Sequence, residues 1–351
     1  SLKTAIGVSV FASCLGGLFA YFYLFDIMRR NKSKLIPSNV SEEKVSNKEI
    51  IKKVITYSIP FVIITCANQI YNSTDMILLL RILGRFGYTG SEIETISSVF
   101  TTWGVKINSI VIAISNGLII SLIPHIVSLY VKKEYDNVNT LFNKCLKIVL
   151  LVIIPISVFI SVNSYSVWMI FYGENKFGYL IIRLNILLTI LDSLYLIVNS
   201  LLQSLSKYKI LFTTVGLGIM INLICDIPMM YLFNYLGLHA FYGAIFATFI
   251  GLSTSLIVAF RYLKKELNFS YKSTIKLIPR SIINIVILVI INLLVSLILP
   301  IRSSSRLMQI VNVGVLGVVS LVFYIILYRN YLEEILPSKV VRMLKKVKVI
   351  K

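Results

Sequence analysis

The sequence predicts an all-α, polytopic membrane protein with nine transmembrane helices, and three observations carry that reading. The chain of 351 residues is 57% hydrophobic and only 14% charged, against about 25% charged residues in soluble domains. Apolar runs long enough for a helical crossing, about 20 residues, recur along it, and the alternating segments of about ten residues that mark a β-barrel are not seen. The charge is lopsided, 35 Lys and Arg against 15 Asp and Glu, and the basic residues collect in every second segment between runs. This composition excludes a secreted disulfide domain, a coiled coil and a disordered chain. The basic excess points to loops facing anionic lipid rather than to a nucleic-acid partner.

The first run, Ala5–Met28, closes at Arg29 and Arg30. Val54–Leu80 follows Lys52 and Lys53 and stops at Arg81. Ile96–Ile123 ends at Pro124, and Cys145–Trp168 starts after Lys144. Tyr179–Gln203 follows Gly178, and Ile210–Phe233 follows Lys209. Leu238–Phe260 lies between Gly237 and Arg261, Ser281–Leu299 between Arg280 and Pro300, and Met308–Leu327 between Arg306 and Arg329. Each run satisfies its own backbone hydrogen bonds as a helix, which hydrocarbon demands. Of the Lys and Arg residues, 27 fall on one side of this alternation, 6 on the other and 2 inside spans. The positive-inside rule then predicts the N-terminus of this chain outside and the C-terminus cytoplasmic. Arg29–Lys53, polar and mixed in charge, reads as a cytoplasmic linker. The tail Tyr331–Lys351 reads as a surface-lying amphipathic helix or a solvated extension. The chain begins at Ser1, and its first apolar run starts almost at once, which predicts an N-terminally incomplete protein.

Chemistry is sought where polar groups defy lipid. Thr65, Asn68, Asn72 and Asp75 are spaced to share one helix face. Thr102, Lys106, Ser109 and Asn116 form a second stripe, and Asn185, Thr189, Asp192, Asn199 and Gln203 a third, with Arg183 near its outer end. Asn222 and Asp226 lie four apart, just before Pro228. Two readings compete for these stripes: a hydrated pathway, or interhelical hydrogen bonds that only hold the bundle together. Lys106 and Asp75 favour function, because a buried charge is the costlier defect, and they are expected to pair or to line one vestibule. Arg183 and Asp226 are placed near enough to the interface to snorkel. His125 and His239 read as interface residues. Cys14, Cys66, Cys145 and Cys225 have no metal-ligand spacing. There is no Walker A loop, no GxSxG, no catalytic triad and no acidic metal cluster in the sequence. No enzyme activity and no cofactor are expected, so energy comes from an ion gradient, the membrane potential or the substrate's own gradient.

Two stretches, NSLLQSLSKYKI at 199–210 and LGLHAFYGAIFATFIG at 236–251, carry a resemblance. With Asn222 between them they resemble the polysaccharide-exporter branch of the multidrug/oligosaccharidyl-lipid/polysaccharide flippase superfamily. That branch tends to show a Q-x-x-G/S-K element, here Gln203 to Lys207, and a G-A-x-x-A-T element, here Gly243 to Thr248. YNSTDMILLLRILG at 71–84 and SNGLIISLIPHI at 115–126 resemble the first two helices of the C-terminal lobe, and residues 1–25 the sixth helix of the N-terminal lobe. The likeness covers nearly the whole chain and is greatest to the lipid II flippase and stage V sporulation protein B group.

The resemblance implies the last helix of an N-terminal lobe at 1–28, a linker at 29–53, a complete six-helix lobe at 54–262, two added helices forming a lipid-tail groove at 263–328, and a basic tail at 329–351. It implies alternating access that flips an anionic polyprenyl-diphosphate-linked saccharide, with Lys106 near the place of a cavity arginine. Lys lacks the bidentate phosphate geometry of Arg, and the other cavity arginines belong to helices absent from this chain. The implied substrate-binding set is Lys106, Asp75, Asn72, Asn68, Asn116, Asp192, Arg183 and Asn222. The implied partners are the lipid-linked saccharide, the bilayer, and the missing N-terminal helices or a second chain supplying them. The alternatives are a cation-coupled multidrug exporter of the same fold, which would use acidic residues such as Asp75 and Asp192, and a membrane-embedded enzyme acting on lipid-linked sugars. A nonfunctional or regulatory half-transporter is a further reading.

Overall fold

The protein is described by a computed structural model at residues 2–31, 46–299, 305–329 and 331. The described residues are helical, with no strand among them. In order, the helices are α1 Leu2–Arg30, α2 Asn47–Arg85, α3 Gly90–Ser98, α4 Gly104–Val131, α5 Tyr135–Ile148, α6 Ile154–Val162, α7 Ser164–Tyr172, α8 Gly178–Ser204, α9 Tyr208–Tyr235, α10 Phe241–Glu266, the short α11 Lys272–Ile275, α12 Ile278–Ser296 and α13 Arg306–Tyr328. Single π turns, Val99–Trp103 and Val149–Ile153, join α3 to α4 and α5 to α6. Eight helical stretches among the described residues are long and apolar enough to cross a membrane. The chain is a multi-pass membrane protein.

Two compact units divide it, Ser1–Ile59 and Pro60–Lys351. The first holds α1 and the start of α2. Its described side chains are largely exposed, and ion pairs one turn apart support its helices, Arg30 to Asp26 at 2.8 Å and Lys53 to Glu49 at 3.1 Å. Residues 47–53, expected as linker, are therefore helical. The rest of that expected linker at 32–45, and the tail at 332–351, lie outside the described residues.

The second unit is a helical bundle built around α8. This helix packs against α4, α6, α7, α9 and α10, and Ile181, Ile182, Ile186, Ile197, Val198 and Leu201 along it are fully buried. The sequence predicted one span over Cys145–Trp168. The structure instead breaks the helix at Asn163, whose φ −96° and ψ 22° leave helical geometry, so Trp168 belongs to a separate helix, α7. Asn163 Nδ2 donates to Phe159 O at 2.9 Å and satisfies the broken turn.

At one end of the bundle, Gly87, Gly173 and Gly237 adopt positive φ, the left-handed geometry that closes a helix without a Cβ penalty. There Tyr88 Oη lies 3.0 Å from His239 Nδ1, and Lys176 Nζ 3.0 Å from Glu92. A capping box between Thr89 and Glu92 starts α3. At the other end a polar clamp holds the connector before α12. Asn143 Nδ2 donates to Ser270 O at 2.7 Å, Thr274 Oγ1 donates to Asn143 Oδ1 at 2.7 Å, and Asn139 Oδ1 accepts from Ser270 N at 3.1 Å.

Candidate functional site

A buried polar cluster arises where α9 and α10 approach closely. Small residues make that approach possible, as between helices in lipid. A Cβ added to Gly251 would lie 2.7 Å from Gly218 O and 2.8 Å from Asn222 Cβ, and one on Gly243 would strike the backbone of Met229 and Met230. The approach brings Asn222 Nδ2 to 3.1 Å from Thr248 Oγ1, whose own hydroxyl donates to Ala244 O at 3.0 Å. One turn beyond Asn222 sits Asp226, 1% exposed. Helix α2 completes the cluster with two residues one turn apart. The Tyr71 hydroxyl lies beside Asn222 and Thr248, and the Asp75 carboxyl lies beside that of Asp226.

The cluster is rich in acceptors and poor in donors. Asp75 Oδ1, Asn222 Oδ1 and both carboxyl oxygens of Asp226 are buried without a donor. Buried acceptors of this kind carry a free-energy cost that a proton or cation would relieve. Two carboxyls with neutral oxygens from Asn, Thr and Tyr are a hard, all-oxygen set. No group of three or more His, Cys, Asp and Glu suited to a metal occurs among the described residues. The arrangement fits a proton or a monovalent cation.

The structure sorts the predicted residues unevenly. Asp75 and Asn222 come together, but the partner of Asp75 is Asp226 rather than Lys106, and no ion pair joins Lys106 to Asp75 among the described residues. Asp226 does not snorkel: nearly complete burial between α2, α9 and α10 makes it a central member, which corrects the sequence expectation. Lys106, Ser109 and Asn116 share an exposed face of α4. Asn72 is exposed and Asn68 half-buried on α2. Asp192 is half-buried on α8, apart from the cluster's hydrogen bonds. Arg183 is tied to α7 by Nε donating to Ser164 Oγ at 3.3 Å. Thr189 is fully buried 3.0 Å from Ser157 Oγ, so that part of the third stripe holds helices together. Tyr71 and Thr248 went unassigned in the sequence. The signals for them were the i, i+4 spacing of Tyr71 to Asp75 and the Thr that ends the Gly243–Thr248 element.

A second feature is an apolar groove of about 470 Å³ between α6, α12 and α13. Pro155, Ile156, Phe159, Leu288, Val289 and Leu321 contribute walls. Of its polar lining residues, Asn292 donates through Nδ2 to Ser320 Oγ at 3.3 Å while its Oδ1 is buried without a partner, and Tyr324 Oη donates to Leu151 O at 2.6 Å. Such a surface suits a hydrocarbon chain.

No protein-family model matches the chain, and no solved structure matches it. A curated relative does, the lipid II flippase MurJ of Bacillus subtilis (strain 168), at 25% identity over 283 residues. The chain is similar to a lipid II flippase. The alignment takes in 78% of this chain and 51% of that protein, so the chain spans about half the length of the curated relative it matches. The similarity supports the flippase superfamily that the motifs at 199–210 and 236–251 resemble.

Proposed function

We propose that the chain is the C-terminal part of a transporter, not an enzyme, that flips an anionic polyprenyl-diphosphate-linked saccharide across a bacterial plasma membrane by alternating access. The observation that carries this reading is the similarity to a lipid II flippase over 78% of the chain. The structural features fit it. The groove between α6, α12 and α13 would hold the polyprenyl tail, as the two helices after the six-helix lobe are expected to do. The exposed face of α4 would offer Lys106 to the diphosphate, with Ser109 and Asn116 facing the sugars. Asp75, Asn222, Asp226, Thr248 and Tyr71 would hold the coupling proton or cation. Two adjacent carboxyls in an apolar slab repel unless a positive charge or a proton lies between them. Loading that site therefore favours closing α2 onto α9 and α10, and emptying it favours their parting. A movement of this kind is what alternating access requires.

In the orientation we propose, α1 crosses as well, as the first of nine spans. The bundle end carrying Lys132, Lys133, Lys207, Lys209, Lys264 and Lys265 faces the cytoplasm, and the end carrying Lys176 and His239 faces outside. The N-terminal helices that complete the transporter are supplied by the rest of the same polypeptide or by a second chain. The test is reconstitution of the chain, with those helices, in vesicles holding a fluorescent lipid-linked disaccharide diphosphate. Time-dependent appearance of the label on the opposite leaflet is expected. Protein-free rates of appearance would overturn the assignment.

A further inference from the structure

We infer that a cavity at the α7–α8 corner is a saccharide-binding site, which rests on the outward orientation proposed above only for its placement and not for its chemistry. The cavity measures about 250 Å³ and is lined by Tyr165, Trp168, Glu174, Asn175, Lys176 and Tyr179. That is slightly below the range of about 300–1,000 Å³ for pockets that enclose drug-sized ligands, and so suits a single sugar ring.

Three properties point to a sugar rather than to an ion or a lipid. The first is a pair of aromatic walls. Tyr165 and Tyr179 meet edge to face at 5.4 Å between centroids, and flat aromatic faces beside polar groups suit the apolar face of a pyranose. The second is an indole in the lining. Trp168 is 1% exposed, and its Nε1–H is buried without a hydrogen-bond partner and does not open into the cavity, so the ring contributes apolar surface. The indole is held there by shape: it packs directly on Gly178, where any side chain would collide with the ring, and lies tilted against Tyr172 at 4.7 Å between centroids. The third is a mixed rim. Glu174 supplies an exposed carboxylate acceptor. Lys176 is already paired with Glu92, which lowers its pull on anions. Asn175 Oδ1 accepts from the backbone N–H groups of Phe177 and Gly178 at 3.0 and 2.8 Å. That bond occupies the amide oxygen and leaves the Asn175 amide donors for a ligand. Donors and an acceptor beside aromatic faces match a ring of hydroxyl and acetamido groups.

In the transport cycle such a site would receive the sugar of a cargo arriving at the outer leaflet, or hold free saccharide there. The two sources share the same ring chemistry. A ring of about fifteen heavy atoms at ordinary ligand efficiency gives a dissociation constant on the order of 1 mM.

The test exploits the chain's two tryptophans, Trp103 and Trp168. With Trp103→Phe, Trp168 is the single indole reporter. The folded chain in nanodiscs is titrated with N-acetylglucosamine and, separately, with its lipid-linked diphosphate form. A saturable change in Trp168 emission is expected with the free sugar. It should weaken at least tenfold in Glu174→Gln and Tyr165→Ala variants whose circular dichroism is unchanged. Response to the lipid-linked form alone would overturn the sugar assignment, as would an emission that follows lipid composition but not sugar, the behaviour of a membrane-interface aromatic belt. Because binding is read without translocation, a chain that flips lipid-linked saccharide yet shows no sugar response refutes this site alone. A chain that binds sugar but does not flip lipid-linked saccharide when reconstituted with the completing N-terminal helices refutes the transport reading alone.

Discussion

Gly251→Ala probes the joint on which the polar cluster depends. The added Cβ would lie 2.7 Å from Gly218 O and 2.8 Å from Asn222 Cβ, where ordinary contact begins at 3.4 Å. Both neighbours are on α9, and one is backbone, so no side-chain rotation relieves the clash. The helices must part by several tenths of an ångström. Overpacking of this kind costs about 1–3 kcal/mol. The separation also stretches the Asn222–Thr248 hydrogen bond of 3.1 Å, worth about 0.6 kcal/mol inside a membrane protein. Gly216→Ala is the control. It lies on the same α9 with nothing within 4 Å of the added atom, so helix propensity alone predicts a gain of up to about 1 kcal/mol. Thermal unfolding in detergent should place the two variants on opposite sides of wild type. Cation dependence of the unfolding temperature should shrink in Gly251→Ala only. If Gly251→Ala matches or exceeds Gly216→Ala in stability, the close approach of α9 and α10 does not hold the cluster together.

Asn143→Ala strands Thr274 Oγ1 and Ser270 O at the connector before α12 and should cost about 1–3 kcal/mol in unfolding free energy; an unchanged denaturation midpoint would show the clamp to be idle. Burial first, and the Lys176 charge second, hold His239 below its usual 6.5, with Glu92 opposing. The unfolded chain then takes up this proton before the folded one, so stability present above 6.5 is lost as pH falls through the lower folded value. Melting temperature should drop as pH falls below about 6.5, and drop less in His239→Gln; equal slopes would remove His239 as the cause. Val289→Trp fills the groove between α6, α12 and α13 and should reduce translocation of long-chain substrates more than short-chain ones; equal loss on both would speak against a tail site. Lys106→Glu reverses the charge on the α4 face and should slow translocation at least tenfold, and wild-type rates would take Lys106 out of the mechanism.

The crossings were legible because their cause is local. Twenty apolar residues between charges or prolines make a helix in lipid whatever surrounds them, and the predicted runs Tyr179–Gln203 and Ile210–Phe233 differ from α8 and α9 by a residue or two at each end. The break at Asn163 was hidden because the flanking residues are apolar enough to continue. The short α11 was hidden because its place is set by Asn143, far away in sequence. The candidate site was half legible. Asp75 and Asn222 are conspicuous as polar residues in apolar runs. That Asp75 meets Asp226 depends on three helices converging, which in turn depends on Gly218, Gly243 and Gly251 rather than on any polar pattern. Proximity to an apparent span end made Asp226 look interfacial, while its place on α9, packed against α10 and beside Asp75, buries it. Lys106 shows the opposite case, a charge inside an apolar run that the bundle leaves exposed.

On the proposed function, Asp75 and Asp226 form one ion-binding unit that drives translocation. Vesicles containing the complete transporter and a fluorescent lipid-linked disaccharide diphosphate, with sodium or proton gradients imposed separately, test it most directly. One of the two gradients should accelerate flipping in wild type, and the acceleration should vanish in Asp226→Asn and in Asp75→Asn while each variant remains folded. Flipping that ignores both gradients, or gradient-driven flipping that survives either substitution, would contradict it.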